Sequence, residues 1–331
     1  MKKKVTLIIP HKEKTPKAIE PLLENIQKWT SYPDEIIIIN SSSFKLNIDF
    51  FLNFCKKKKI SLHLENNLDL HPGSSRNYGI LKSKNETICF LDVKTIPQDN
   101  WFKKGVHKLT NSNLDCILGQ TFYEANNYNE KIIRASTYGC QIHITIPGSF
   151  FKKNIFNKLG LFVGSLRCGE DGDLIKRIYL QELKVKKSDM NVIYKGLIGT
   201  SYLKIILKWK ENYKKVIDMP YFQHHKYIYI LLFLSISFYI ITTWNWLIAG
   251  WNQNSIFYAP NITKIFLIFI FLLYFVIRAF IIPIRKKIFG FLFPLNFLLI
   301  FLLSFVLDII KTSIFVKDFI FKIFIYLNIN K

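Results

Sequence analysis

Acidic residues are scarce. Against 46 lysines and arginines stand 23 aspartates and glutamates, a formal net charge of +23. Such a balance points to nucleic acid, to anionic lipid or to an anionic small substrate. No nucleic-acid-binding motif accompanies the charge, so nucleic acid is set aside. A lysine-rich surface working beside anionic lipid fits it better. Cysteine is also thin: the five, at 55, 89, 116, 140 and 168, are odd in number and include no Cys-x-x-Cys pair. This argues against a disulfide framework or a zinc site and fits a reducing compartment. Phosphate-cradling loops are missing as well. No Gly-x-Gly-x-x-Gly follows the first apolar run and no Gly-Lys-Ser/Thr occurs, so dinucleotide and ATP binding by those routes lack support. There is no internal repeat. Met1–Lys14 is basic, but its apolar run from Val5 to Ile9 is too short for a signal-peptide core. The globular part is therefore expected to stay in the cytoplasm.

What is present falls into two compositions. Up to about Asp218 the chain is mixed, lysine-rich and broken by Gly, Pro and Asn; from Tyr227 it is mostly Phe, Ile and Leu. The first part is long enough for one sizeable α/β domain, and the apolar runs of the second reach bilayer length.

The pattern predicts strands at Val5–Pro10, Glu35–Ile39 and Ile60–Leu64, a strand in the Thr87–Lys94 run, and strands at Cys116–Phe122 and within Val185–Tyr194. Helices are expected at Lys17–Trp29 (Ile19, Leu22, Leu23, Ile26), Asp49–Lys58, from Pro72 to about Lys84, Trp101–Leu109, Phe150–Leu159 and Glu170–Leu180. Strands alternating with helices mean a doubly wound, mostly parallel sheet. Tyr202–Ile217 reads as an amphipathic helix at a membrane surface, or as a packing helix of the soluble domain. Apolar segments at 227–248, 265–282 and 288–310 read as about three membrane helices, followed by an amphipathic tail over 311–331. Trp244, Trp246 and Trp251 suit an interface, and Arg278, Arg285, Lys286 and Lys287 outnumber Lys264 in the first short loop. The positive-inside rule puts that cluster in the cytoplasm. His224-His225, just before the first of these segments, reads as interfacial.

Asp92 closes the apolar run Thr87–Leu91, and ligands of open α/β sheets bind at the carboxyl ends of such strands. A second acidic pair, Glu170-Asp171, opens a helix after Gly169. Transfer from a nucleotide-activated sugar needs parts of this kind: positive charge or donors for the diphosphate that leaves, and a carboxylate base for the acceptor hydroxyl.

At this point the chain resembles the family 2 glycosyltransferases, inverting enzymes of GT-A fold, over about residues 4 to 200. Val5–Pro10 looks like the opening strand. Glu35–Ser43 sits where the family writes an aspartate-rich turn. Ser75-Arg76-Asn77-Tyr78-Gly79 looks like Ala-Arg-Asn-x-Gly. Phe90-Leu91-Asp92, with Pro97 and Trp101, looks like the Asp-x-Asp strand and its sequel. Gly160-Leu161-Phe162 and Gly169-Glu170-Asp171-Gly172-Asp173-Leu174 with Arg177 resemble the Gly-Gly-Phe and Glu-Asp-x-x-Leu-x-x-Arg segment.

The resemblance implies roles. Asp171 would be the general base and Glu170 would help place acceptor or base. Pro10, Asn40, Ser41, Arg76, Asp92 and Lys94 would line the donor site. It also implies a Mg2+ or Mn2+ ion, but Lys94 stands at the usual second ligand position and Asn40 and Ser41 replace acids that face the base. Two arrangements stay open: a metal held by Asp92 with water, or metal-independent transfer with Lys94 in the cation's place. The Gln-x-x-Arg-Trp of processive synthases is absent, which favours single addition.

The expectation is thus a GT-A-like domain over 1–200, an amphipathic linker over 201–226 and an all-α membrane region. The chain would be an integral protein of a bacterial inner membrane with its catalytic domain in the cytoplasm. It would move one sugar from a nucleotide-sugar donor to a lipid-linked or glycan acceptor. The alternatives are a polyprenyl-phosphate monosaccharide synthase and a non-catalytic membrane protein with a degenerate transferase domain.

Overall fold

The computed structural model describes residues 4–13, 15–215, 226–247, 254, 256 and 262–329. His224, His225 and Trp251 lie outside these. The chain forms two compact units. The first holds the chain up to Glu130, then Gln141–Thr200 and the segment from Glu211; the second holds Lys131–Cys140, Ser201–Lys210 and the apolar helices that follow.

In the first unit the elements run β1 (Val5–His11), α1 (Glu20–Gln27), β2 (Glu35–Asn40), α2 (Asp49–Lys58), β3 (Ser61–Asn66), α3 (Pro72–Lys82), β4 (Thr87–Phe90), β5 (Thr95–Pro97), α4 (Trp101–Asn111) and β6 (Cys116–Tyr123). After α5 (Tyr128–Ser136), within which the division between the units falls, come β7 (His143–Lys152), α6 (Ile155–Leu159), α7 (Glu170–Leu180) and β8 (Val185–Tyr194). One eight-stranded sheet takes the order β3-β2-β1-β4-β7-β6-β8-β5. Its β3-β2-β1-β4 half is parallel, while β7 is antiparallel to both β4 and β6.

The central strands are buried on both faces, which is why they read as unbroken apolar runs rather than alternating ones. Successive side chains still part to opposite sides. Leu7, Ile9, Ile36 and Ile38 join Leu22, Leu23 and Ile26 of α1 and Phe51 of α2 in one core. Ile8, Ile37, Ile39, Ile88 and Phe90 join Ile80 of α3 and Leu174 and Ile178 of α7 in the other. Each fully buried Ile or Leu contributes about 1.5–3 kcal/mol of transfer free energy, so a helix layer packs on each face of the sheet and fixes where its strand ends lie.

Three expectations need correction. The helix expected at Phe150–Leu159 is confined to Ile155–Leu159, and the residues before it are the long strand β7. Pro147 and Gly148, just before that expected helix, sit opposite a register shift between Ile117 and Gly119, where a strand tolerates them. There the Ser149 hydroxyl accepts from Gly119 N at 2.7 Å, and Trp101 Nε1 donates to Gly148 O at 3.1 Å. The Asp92 strand stops at Phe90, so Asp92 lies in the turn just past it. The α5 and β5 elements were not anticipated.

In the second unit α8 (Tyr202–Asn212) buries Ile205 and Trp209. The apolar helices are α9 (Lys226–Thr242), α10 (Trp244–Leu247), α11 (Ile262–Val276), a π-helical turn at Ile277–Ile281, α12 (Ile282–Arg285) and α13 (Asn296–Ile329). Ile268–Arg285 and Asn296–Phe321 are long and apolar enough to cross a membrane, each with mean hydropathy 2.2. The third expected segment and the tail after it form one helix, α13.

Candidate active site

Three segments far apart in sequence meet at the carboxyl ends of the central strands. The first is the β4–β5 turn. Asp92 N donates to Thr95 Oγ1 at 3.0 Å, and Thr95 Oγ1 and N both donate back to Asp92 O, at 2.6 and 2.9 Å. This local lock, typical of a Thr-closed turn, fixes the backbone from Asp92 to Thr95.

The second segment is α3, and each residue of Ser75-Arg76-Asn77-Tyr78-Gly79 has a distinct task. Ser75 Oγ lies 3.0 Å from Ser41 Oγ and ties α3 to the end of β2. Asn77 clasps the loop after α6 twice: its Nδ2 donates to Phe162 O at 2.8 Å and its Oδ1 accepts from Phe162 N at 2.9 Å. Tyr78 Oη donates to Glu65 at 2.9 Å. Gly79 lets α3 lie directly on β1; a Cβ there would stand 2.5 Å from Ile8 Cγ2.

Arg76 is the centre. It is 1% exposed, its guanidinium lies over the Phe162 ring at 5.5 Å, and it reaches three carboxylates. The distances are 2.9 Å to Asp92 Oδ1, 3.0 Å to Glu170 Oε1 and 2.8 Å to Asp171 Oδ1. Its Nε has no hydrogen-bond partner among the described residues.

The third segment is the start of α7. Gly169 precedes it at φ +94°, and Asp173 is tied to Arg177 at 2.7 Å, which also bonds Leu161 O at 2.9 Å. Glu170 is nearly closed off, its side chain 7% exposed, whereas that of Asp171 is 27% exposed. Asp171 Oδ2 also accepts from Ile146 N of β7 at 3.3 Å.

These burials shift protonation. Burial, then repulsion from Asp171, pushes the Glu170 carboxyl up, with Arg76 opposing. Burial also pushes Asp171 up; Arg76 opposes this, and Asp92 adds to it. For Arg76 itself burial works against the charge, but Asp171, Asp92 and Glu170 outweigh it and hold the guanidinium protonated. The result is a pair of carboxyls that both hold a proton more readily than free acids do, beside a cation that opposes the shift, an environment of the kind found at general acid–base sites.

The remaining candidates lie around this centre. Lys94 Nζ is 2.6 Å from Glu13 Oε2, at a half-exposed pair beside β1. Asn40 is buried, and its amide is spent on its own turn: Nδ2 donates to Phe44 O and Asn66 Oδ1, and Oδ1 accepts from Ser42 Oγ at 2.7 Å. Its Oδ1 also lies 3.1 Å from His11 Nδ1, and burial pushes that imidazole's pKa down. Pro10 is half-buried in β1 opposite Ile39. Sequence reasoning missed Tyr123, at the end of β6. It is packed against His143 at 5.4 Å and Tyr194 at 5.1 Å, and burial, then Tyr194, Asp171 and Asp92, raise its phenol's pKa. A strand-end aromatic is common, so nothing short of the β6–β8 pairing marks this one.

Among the described residues no group of three or more His, Cys, Asp or Glu is placed to hold a metal. The carboxylates that converge do so on Arg76.

Residues 6–168 match the family described as Glycosyl transferase family 2. A protein named "Uncharacterized glycosyltransferase" from Rickettsia bellii (strain RML369-C) is 30% identical over 185 residues, covering 51% of this chain and 25% of that one. The chain thus spans about a quarter of the length of the curated relative it matches. Among solved structures, the mannosyltransferase PcManGT from Pyrobaculum calidifontis, in complex with GDP-Man and Mn2+, aligns with a TM-score of 0.50 at 13% identity, covering 95% of this chain and 88% of that one. S. aureus TarS 1-349 aligns at 0.45 with 14% identity, over 87% of this chain and 89% of its own. At such identity the likeness to PcManGT is one of fold: a mostly parallel, GT-A-like sheet with helices, followed by a helical region.

Proposed function

Since residues 6–168 belong to glycosyl transferase family 2, we propose that the chain is an inverting glycosyltransferase. It moves one sugar from a nucleotide-sugar donor to a membrane-associated, lipid-linked acceptor. The observation that carries this reading is the convergence of Asp92, Glu170 and Asp171 on Arg76. It supports a donor side and an acceptor side joined by one cation.

In this reading Asp171, the more exposed of the pair, takes the proton of the acceptor hydroxyl. The freed oxygen forms a bond to the anomeric carbon while the bond from that carbon to the diphosphate breaks on the opposite face, so configuration inverts. Negative charge grows on the departing diphosphate, and a cation close by lowers that barrier. Asp92 holds the donor sugar, and Glu170 fixes Arg76 and through it Asp171. Pro10, Asn40 and Ser41 shape the wall at the ends of β1 and β2.

A resident divalent cation does not fit this donor set. Asp92 already serves Arg76, and two residues on stands an ammonium, not a second carboxylate. Lys94 supplies the positive charge instead, exchanging Glu13 for the diphosphate when donor binds. The two long apolar helices anchor the protein in a bacterial inner membrane with the catalytic unit on the cytoplasmic side. Anionic lipid there matches the basic composition.

The test is donor binding and hydrolysis in detergent across UDP-, GDP- and dTDP-sugars, with and without chelator. Wild type would be run beside Asp171→Asn and Lys94→Asp. Slow hydrolysis of one donor, untouched by chelator and lost in Lys94→Asp, supports the scheme. Strict dependence on Mg2+ or Mn2+ removes Lys94 from it. Binding of no donor moves the chain to a non-catalytic role. Substantial transfer by Asp171→Asn would favour a phosphate acceptor, which needs no base.

A further inference from the structure

A polar cavity opens in the first unit, at the opposite end of β4 from Asp92. Its volume is about 380 Å3, within the range of small-molecule sites. It is built on the start of the β4–β7 ladder, where Thr87 stands opposite Lys152. One side is the turn from Lys84 to Glu86, and the other runs from Lys153 to Asn157, into α6. Both sides are fixed by hydrogen bonds. Lys84 N donates to Glu35 Oε2 at 3.0 Å, and Glu35 is buried. Thr6 Oγ1 donates to the same oxygen at 2.6 Å and accepts from Asn85 Nδ2 at 3.0 Å. Lys153 N donates to Glu86 O at 2.7 Å, and its ammonium donates to Ser83 O at 2.6 Å. Lys152 is tied to Asp115 at 3.2 Å. A site held this way exists before its ligand arrives, which lowers the ordering cost of binding.

The frame is spent on itself, but several lining groups are not. Lys84 Nζ, the Glu86 carboxylate and the side-chain amides of Asn154 and Asn157 have no hydrogen-bond or ion-pair partner among the described residues. All four side chains are exposed, so they can turn to a ligand. Lys153 spends one ammonium donor on a neutral carbonyl, which leaves its charge uncompensated. Lys152 is balanced by Asp115. Lys84 and Lys153 against Glu86 therefore leave the lining one positive charge in surplus. No aromatic residue, Leu, Ile, Val or Met lines the cavity. It offers no ring face to a nucleobase and no apolar bed to a lipid chain. What it offers is ammonium groups, amides and a carboxylate, the partners of a small, hydroxyl-rich anion.

We propose that this cavity binds an acidic monosaccharide unit, a sugar whose hydroxyls accompany one carboxylate or phosphate. Lys84 and Lys153 take the anion in charge-assisted hydrogen bonds. Glu86 accepts from hydroxyls, and the amides of Asn154 and Asn157 both donate to them and accept from them. A neutral sugar would have hydrogen bonds alone, which water nearly matches, so the charge supplies the discrimination. The proposal stands on the residues of this cavity and does not require the transferase reading.

The experiment is isothermal titration calorimetry of the full chain in detergent. The probes are glucuronate, glucose 6-phosphate, glucose and inorganic phosphate. Wild type should bind at least one of the two acids at least tenfold more tightly than glucose, and the acid that binds identifies the anion. Lys84→Gln should lose most of that difference. Asn157→Asp, which sets a carboxylate beside the anion, carries the same expectation should Lys84→Gln not yield folded protein. Lys57→Gln, at an exposed lysine of α2, and Lys94→Asp should bind as wild type does. Equal binding of acids and glucose, binding of none of the probes, or no effect of either cavity variant would overturn the site. Inorganic phosphate binding as tightly as the preferred acid would leave an anion site and overturn the saccharide. Acid binding lost in Lys94→Asp and kept in Lys84→Gln would assign it to the Arg76 centre and overturn the cavity as its seat. Because the readout is binding of simple sugars and not transfer, each result is separable from the fate of the transferase reading.

Discussion

Replacing Arg76 with methionine keeps most of the side chain's volume and removes a cation that three carboxylates share. At an effective dielectric near 20, opposite charges about 4 Å apart attract by roughly 4 kcal/mol. Repulsion among the acids and the cost of burying the guanidinium cancel much of that sum. Breaking one partner out of a buried ion pair costs about 3–5 kcal/mol in practice, because the charge left behind is uncompensated. For a unit of this size each kcal/mol lowers Tm by about 2–4 °C, so Arg76→Met should melt roughly 6–20 °C below wild type near pH 8. The pH dependence is the sharper test. Glu170 and Asp171 are already shifted upward in the folded state, so their contribution to stability is greatest below the unfolded carboxylate range and is lost as pH rises through the folded values. Without Arg76, which opposes both shifts, they rise further, and the penalty in the variant extends to higher pH. The gap between wild type and variant should therefore narrow as pH falls from 8 to 5, where protonation replaces the lost cation. Thermal unfolding of the full chain in detergent across that range measures it. A gap that stays constant, or widens in acid, would refute the idea that Arg76 stabilises by compensating these carboxylates.

Three other substitutions probe separate links. Gly79→Ala should overpack α3 against Ile8 and lose about 1–3 kcal/mol, seen as a lower Tm with unchanged secondary structure by circular dichroism. Asn77→Ala removes both hydrogen bonds to Phe162, about 2 kcal/mol together, and should raise hydrogen exchange in the loop after α6 before it affects the sheet. Asp171→Asn should cut kcat by roughly 10²–10⁴ while leaving donor Kd within a few-fold, and should abolish the rise in rate with pH that titration of this carboxyl produces. Loss of donor binding alongside kcat would mean that Asp171 acts on the donor and not as a base.

The residues by themselves determined a good deal. Runs such as Glu35–Ile39 have no polar face to give to solvent, so they had to be central strands, and Ile19, Leu22, Leu23 and Ile26 at helical spacing had to pack on them. Asp92 and Glu170-Asp171 stood out because a carboxylate at a strand end or helix start has few other reasons to follow an apolar run or a glycine. Periodicity failed at β7, where Pro147 and Gly148 mimic a stop and are in fact absorbed by a bulge facing Gly119, a feature of the pairing and not of either strand alone. The meeting of residues 76, 92, 170 and 171 on one guanidinium was likewise a matter of tertiary structure. It depends on β1 and β4 pairing in register, on Gly79 seating α3 against β1 and on Asn77 fastening the loop that leads to α7. So was the pairing of Lys94 with Glu13, two residues 81 positions apart whose attraction no local pattern encodes. Local propensity is written in neighbours along the chain. The charge state of a buried carboxylate is set by whatever the fold brings within a few ångströms of it, and that becomes fixed when the elements pack.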